Sequence, residues 1–347
     1  MLSAYRADSH VAWADWLVAS QRQWRWHLLE LPGRFFRWRI RGNPLSWLDQ
    51  LPPGVPDLIV ATSMVDLATL KGLFPRLARV PAIYYFHENQ FAYPLSAKQQ
   101  TSIEPQMVQI YGALAAQRIL FNSRFNRDSF LDGVDALIAK MPDAAPVGVR
   151  ERLAAKADIC PVPIAPVATA VDKDDRLIVW NHRWEYDKAP DVFVDAVLDV
   201  ADKGVEFKLA LLGPRTTPPP ESLVRLRSRL ADRIVVDGRV DRDSFRHTLG
   251  RATIVVSTAL HEFEGLAVLE AVSAGARPLV PDALCYPEQY PQAYRYPPGD
   301  REALAKQLAL WLSGGLPARL DVSAWYESAL DAVWRRFLSE GQKEQVE

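Results

Sequence analysis

Hydrophobic and polar positions alternate along this chain in blocks rather than residue by residue. Eight short runs have continuous apolar centres. In the first half these are DLIVATS (57–63), PAIYYFH (81–87) and RILFNS (118–123). In the second half they are RLIVWNH (176–182), FKLALLG (207–213), RIVVDG (233–238), TIVVST (253–258) and RPLVP (277–281). A strand with one wet face alternates with period two, so continuous runs predict strands covered on both faces. Between them lie segments of helical period, such as DVFVDAVLDVADKG (191–204) and SLVRLRSRLADR (222–233). Strand, helix and strand in repetition predict α/β units with parallel sheets.

The repetition breaks once. ICPVPIAPVATAVDKDD (159–175) holds three prolines and has no helical period. Proline at that density opposes both helix and central strand. A linker is therefore expected over 161–175, dividing an amino-terminal domain at 1–160 from a second at 176–321. The final amphipathic stretch predicts a helix over 322–340. At 347 residues the chain is long enough for two such domains. Its 49% hydrophobic and 24% charged content is that of a globular protein. It has no run of 18 apolar residues, so no membrane span is expected. The opening MLSAYRADSHVAWADW has neither the basic nor the apolar region of a leader, which makes the cytoplasm the expected compartment. Cys160 and Cys285 are too few for a disulfide framework and have no metal-ligating neighbours.

Candidate chemistry collects at predicted strand ends, where open α/β sheets bind ligands. YYFHENQFAYP (84–94) passes from aromatics straight into His87, Glu88, Asn89 and Gln90. Four adjacent hydrogen-bonding side chains there read as a site; the plainer alternative is a polar loop with a capping Asn. Farther on, TIVVST is followed by Glu262, Gly265 and the helix-forming LAVLEAVSA, with Glu270 inside the helix and Gly275 closing it. The open N–H groups of a helix start suit a phosphate, and glycine permits close backbone approach. LIVWNHRWEYDKAPDVF (177–193) sets Arg183 and Lys188 behind another strand, as a departing diphosphate requires. The alternative for these two is surface pairing with Glu185 or Asp187. Asp172-Lys173-Asp174 and Asp241-Arg242-Asp243 share an Asp-x-Asp spacing but precede a strand and a helix, so caps are expected and no essential metal. Motifs of P-loop NTPases, dinucleotide enzymes, serine hydrolases and zincins are absent from the sequence.

Together, Arg183, Lys188 and the pair Glu262 and Glu270 resemble the donor site of retaining GT-B glycosyltransferases. A narrower set, YFHENQFAYP, FNSRFNRDSFL, WNHRWEYDKAPDVF, HEFEGLAVLEAV and YPEQYP, resembles the tRNA-queuosine mannosyltransferase family. One departure is the stretch after Glu262, usually glycine-rich, which reads Phe263-Glu264-Gly265. YRADSH (5–10) resembles the family's first-strand loop, with Ser9 and His10 matching; the strand before it is short, as if a few residues preceded it. The resemblance implies a GT-B fold, two Rossmann-like α/β domains with parallel sheets facing an interdomain cleft, and a last helix crossing back to the first domain. It implies retaining transfer of mannose from GDP-mannose to queuosine in a tRNA anticodon, with no prosthetic group. By the same resemblance Arg183 and Lys188 bind the diphosphate, and Glu262 binds the sugar beside Glu264, Gly265 and Leu266. Glu270 binds the nucleotide ribose, and Arg239 and Val240 meet the base. His87 faces the transferred sugar, Ser9 and His10 belong to the donor site, and Glu88, Asn89 and Gln90 orient the acceptor.

Charge sharpens the acceptor question. The net charge of −1 hides an excess of 18 Lys and Arg over 14 Asp and Glu in residues 1–170, against 23 and 28 in the remainder. QRQWRWHLLELPGRFFRWRIR (21–41) holds six Arg and one Glu, interleaved with Trp24, Trp26, Phe35, Phe36 and Trp38. Arginine for phosphates and aromatics for stacking suit an exposed RNA loop, which makes Arg37, Trp38 and Arg39 candidate acceptor contacts. The other reading makes the aromatics core and the arginines a solvated edge. Two rival functions stand beside the tRNA enzyme. One is a GT-B enzyme acting on a lipid-linked or envelope glycan at a membrane surface. The other is a non-catalytic nucleotide-sugar or RNA-binding protein, against which the set Arg183, Lys188, Glu262, Glu270 and His87 argues. The expected partners are a nucleotide sugar and a queuosine-containing tRNA, with no integral membrane association.

Overall fold

The computed structural model describes residues 1–93, 102–215 and 217–343, apart from the side chains of Asp8 and Ser9. The chain divides into two compact units, Met1–Pro163 with Ser328–Glu347, and Ile164–Glu327. The first unit is built on β1 (Leu2–Arg6), β2 (Leu29–Pro32), β3 (Ile59–Thr62), β4 (Ala82–Phe86), β5 (Arg118–Phe121) and β6 (Ala157–Ile159). All pair in parallel in the order β2-β1-β3-β4-β5-β6. The second unit is built on β7 (Asp174–Trp180), β8 (Lys208–Leu211), β9 (Ile234–Asp237), β10 (Ala252–Val256), β11 (Arg277–Pro281) and β12 (Arg295–Tyr296). These too are parallel, in the order β12-β11-β10-β7-β8-β9. Both sheets are doubly wound, and each has one point where the winding reverses. It lies between β1 and β3 in the first and between β7 and β10 in the second. Loops leaving the carboxyl ends of strands diverge there, and the gap they leave is where such sheets bind ligands.

Burial on both faces accounts for most of the apolar runs; the exception is β9, a sheet edge on which Val235 and Asp237 are exposed. Every residue of β3, β4 and β10 is buried. Along β4 the faces alternate. Tyr84 and Phe86 point into one layer, where Phe86 stacks on Phe121 with centroids 4.5 Å apart. Tyr85 points into the other, between Trp13 (4.6 Å) and Trp334 (5.3 Å). The same period carries the next residue but one, His87, onto Tyr85's side. Trp334 comes from the helix Glu327–Lys343, which buries Leu330, Trp334, Phe337 and Leu338 along one stripe. Four strands lie outside the apolar runs: β1, β2, β6 and β12. The last three are sheet edges. Among the described residues no helix is long and apolar enough to cross a membrane.

Candidate active site

In the second unit the reversal point gathers two loops. One follows β7 and contains Asn181, Arg183, Asp187 and Lys188. The other follows β10 and contains Ser257 to Gly265, ahead of the helix Leu266–Ser273. Backbone and side-chain bonds join them. Thr258 Oγ1 donates to the Lys188 carbonyl at 2.7 Å, and the Leu260 N–H donates to the Asp187 carbonyl at 2.8 Å. Asn181 Nδ2 donates to the Ala267 carbonyl at 2.6 Å, tying the first loop to the helix's first turn. Two segments about seventy residues or more apart in sequence are thus tied into one rim.

Lys188 is the centre of that rim. Its Nζ donates to the His261 carbonyl at 2.7 Å and lies 3.2 Å from Glu262 Oε2 and 3.4 Å from Asp187 Oδ2. The residue is buried. Burial alone would lower its pKa, but the Glu262 and Asp187 carboxylates hold it above the ordinary lysine value. Burial likewise opposes ionisation of Glu262, yet Lys188 and the Gly265 N–H outweigh it and bring the carboxyl to about 2. His182 and His261 flank the pair and fall to about 4, through burial first and then the Lys188 charge, so both are neutral at pH 7. Arg183 is half exposed, 3.2 Å from Glu185 and 3.7 Å from Asp187. Both cations are thus paired with acids, Arg183 at the surface with Glu185 and Asp187, and Lys188 in the interior with Asp187 and Glu262 on the loop that leads into the helix.

That helix opens without a side-chain cap and without an acidic residue in its first turn. Gly265 holds φ 72°, and a Cβ there would stand 2.9 Å from the Tyr286 ring. Only glycine satisfies both conditions. Gln289 Nε2 donates to the Glu264 carbonyl at 2.6 Å, and Tyr286 Oη meets Ser257 Oγ at 2.7 Å, so the short helix Tyr286–Gln289 braces the loop from behind. Glu264 is buried, while Leu266 is half-buried at the first helical position. Glu270, one and a half turns in, is half-buried, and burial raises its carboxyl to about 6 against the pull of Arg242 and Arg246. Arg239 and Val240 follow β9, two strands from β7 at the same carboxyl end. Next to them Asp241 accepts from the Ser244 N–H at 2.9 Å and caps the helix Arg242–Arg251.

In the first unit the matching cluster is aromatic. His87 stacks on His10 with ring centroids 4.1 Å apart, and meets Trp13 and Tyr85 edge-on at 4.7 Å each. The Tyr5 carbonyl lies 2.8 Å from His10 Nδ1, which fixes the proton there. Burial brings His10 to about 4 and pushes His87 well below the ordinary histidine value. Both imidazoles are neutral at pH 7, and His87 Nε2 has no hydrogen-bond partner among the described residues. The Ser9 side chain lies outside the described residues. Glu88 and Gln90 are half-buried beside His87.

Asn89 corrects the expectation that it meets the acceptor. Its side chain is fully buried: Nδ2 donates to Asn126 O, Asn126 Oδ1 and Ser129 Oγ, and Oδ1 accepts from the Phe91 and Ala92 N–H groups. Those bonds shape the loop and leave the amide nothing to offer a ligand. Asn122 and Asn126, one turn apart behind β5, complete the brace by donating to the His87 and Phe86 carbonyls. The basic stretch also divides. Trp24, Trp26 and Phe36 are half-buried, and Phe36 packs edge-on against Tyr5. Arg37 and Trp38 are exposed, and Arg39 is half-buried.

Solved structures of two glycosyltransferases share this architecture. Sucrose-phosphate synthase from Thermosynechococcus elongatus aligns with TM-score 0.70 at 13% identity, over 98% of each chain. Anabaena HepE in complex with UDP aligns with TM-score 0.67 at 13% identity, over 98% of each chain. The fold is that of a GT-B glycosyltransferase. Residues 1–164 match the family model described as tRNA-queuosine alpha-mannosyltransferase N-terminal, and residues 175–313 match glycosyl transferases group 1. A tRNA-queuosine alpha-mannosyltransferase of Drosophila melanogaster is 35% identical over 295 residues, which span 81% of this chain and 78% of that protein. This chain belongs to the tRNA-queuosine alpha-mannosyltransferase family and is a hexosyltransferase.

Proposed function

We propose that the chain transfers mannose from GDP-mannose to the cyclopentenediol of queuosine in a tRNA anticodon, with retention of configuration. The observation that carries this reading is Lys188, buried and charged beside an uncapped helix start at the reversal point of the second sheet. A departing diphosphate develops negative charge at such a place, and fixed cations that need no rearrangement lower the barrier most. Arg183 and Lys188 take that role. Glu262, with Glu264, Gly265 and Leu266, holds the sugar, Glu270 the ribose, and Arg239 and Val240 the base. The family relation supports the sugar and the acceptor, since the Drosophila relative is named for mannosyl transfer to tRNA queuosine.

His10 and His87 are neutral, so neither is a proton donor of ordinary strength at pH 7. The same lowering makes both imidazoles weak bases, so a leaving phosphate oxygen is the natural base for the acceptor proton, and the buried, unpartnered Nε2 makes His87 the candidate contact to the transferred sugar. Glu88, Gln90, Arg37 and Trp38 serve the acceptor. A tRNA acceptor also sets the site of action in the cytoplasm.

Purified protein is incubated with queuosine-containing tRNA and a panel of nucleotide sugars, and the nucleosides are analysed by mass spectrometry. A hexose added to queuosine from GDP-mannose alone is the expected result. Addition from a different donor overturns the sugar; no addition from any donor overturns the tRNA acceptor.

A further inference from the structure

We propose that Phe35 and Trp38, with Arg34 and Arg37, form a platform on which an unpaired nucleotide flanking the sugar-accepting one stacks; the proposal rests on the tRNA reading above. Phe35 is held at φ 55°, ψ 51° although it carries a bulky side chain, and the residue is 69% exposed. A residue of that size in the left-handed region is strained and out of solvent's favour at once. The turn that imposes this is closely packed. A Cβ on Gly33 would stand 2.7 Å from the Arg6 carbonyl, and Phe36 is anchored on Tyr5. The Arg34 guanidinium lies 5.4 Å from the Phe35 centroid.

Trp38 is 55% exposed and lies flat along its own helix, Phe36–Ser46. Its ring covers Gly42 so closely that a Cβ there would meet it at 2.6 Å. A ring lying flat presents a face, which suits a base; a ring that enters a bilayer must project. Apart from Arg41, which pairs with Asp66, the charge around it is uncompensated. Among the described residues Arg22, Arg25, Arg34, Arg37 and Arg39 have no carboxylate partner, whereas Arg215, Arg225, Arg227 and Arg229 of the second unit each pair with an acid. Open aromatic faces beside unpaired guanidinium groups match the bases and phosphates of a single strand.

Position selects which nucleotide. The platform follows β2, the sheet edge, and β2 stands three strand spacings from β4, about 14 Å across the sheet. His87 follows β4. The two features share the carboxyl end of one sheet but are too far apart to serve the same nucleoside, so the platform holds a neighbour.

Phe35→Gly tests this, because glycine relieves the backbone strain while removing the ring, and Gly42→Ala lifts the Trp38 ring without deleting it. With queuosine-containing tRNA and GDP-mannose, Phe35→Gly should keep or raise Tm, keep donor hydrolysis, and raise the tRNA KM about tenfold. Gly42→Ala should raise that KM in the same direction. Arg34→Gln should reduce the slope of log KM against log salt by about 0.7, the loss of one phosphate contact. Wild-type transfer to tRNA with variant KM values within twofold overturns the platform and leaves the acceptor assignment standing. No wild-type transfer to any tRNA overturns both. A Phe35→Gly variant that loses binding to anionic vesicles while keeping its tRNA KM overturns the platform in favour of a membrane.

Discussion

Replacing Lys188 with methionine keeps the length of the side chain and deletes the charge, leaving Glu262 and Asp187 facing each other without a cation. The magnitude follows from Glu262, whose carboxyl is brought from 4.5 to about 2, a shift worth about 3 kcal/mol. Loss of one partner from a buried pair falls in the same range, about 3–5 kcal/mol. The second unit spans Ile164–Glu327. For a domain of that size the loss lowers Tm by roughly 7–14 °C at pH 7. The sign with pH is fixed by the depressed pKa: the stabilisation is complete above 4.5 and disappears as pH falls through about 2. The difference between wild type and Lys188→Met, followed by scanning calorimetry, should therefore be full at pH 7 and shrink steadily below pH 4.5. Glu262→Gln in the same background should restore part of the loss, with an interaction energy of about 2–3 kcal/mol in a double-mutant cycle. Strictly additive single effects, or a deficit that is the same at pH 3 and pH 7, would refute the buried pair. All three variants should transfer sugar far more slowly than wild type if Lys188 stabilises the leaving group.

Glu270→Gln should flatten the pH dependence of stability: the raised carboxyl contributes about 2 kcal/mol that is complete below pH 4.5 and lost as pH rises through about 6, so the variant should gain on wild type in Tm scans between those values. Gly265→Ala meets both a positive φ and the Tyr286 ring, and should cost at least about 1–2 kcal/mol in urea unfolding while weakening nucleotide-sugar binding in calorimetry. Asn89→Ala leaves the Phe91 and Ala92 N–H groups without acceptors and should destabilise the first unit by about 2–3 kcal/mol, read by hydrogen exchange around residues 86–93. A normal exchange pattern in that variant would return Asn89 to the acceptor.

Strands buried on both faces were legible because burial leaves no room for a polar residue, and all eight apolar runs are strands. β2, β6 and β12 escaped because LELP, ADI and RY hold no continuous apolar run, whereas the edge strand β9, equally half wet and short, has Ile234-Val235-Val236. The gathering of Arg183, Lys188, Glu262 and Gly265 at one rim was legible from their places behind strands, since the reversal of winding brings those ends together in any sheet of this order. The company Lys188 keeps was not. Its contact with Glu262 depends on bonds between loops far apart in sequence, and nothing local announces them. Asn89 misled for the converse reason: a buried amide that shapes a loop and an open amide that binds a ligand look alike until their partners are known. Phe35 gave no signal either, because a positive φ at phenylalanine is set by the Gly33 turn and the Phe36 anchor around it.

The first unit takes its final helix from the far end of the chain: Trp334 leans on Trp13 and Tyr85, the rings that enclose His87. During translation all of Ile164–Glu327 must leave the ribosome between Pro163 and the helix that completes this core. At about 5–20 residues per second that interval is on the order of ten to thirty seconds. For that time the histidine pocket stands with one wall missing and Tyr85 uncovered. A nascent chain stalled in the second unit would present that apolar gap to chaperones, and a truncation ahead of Trp334 would injure the unit that begins the chain rather than the one beside the cut.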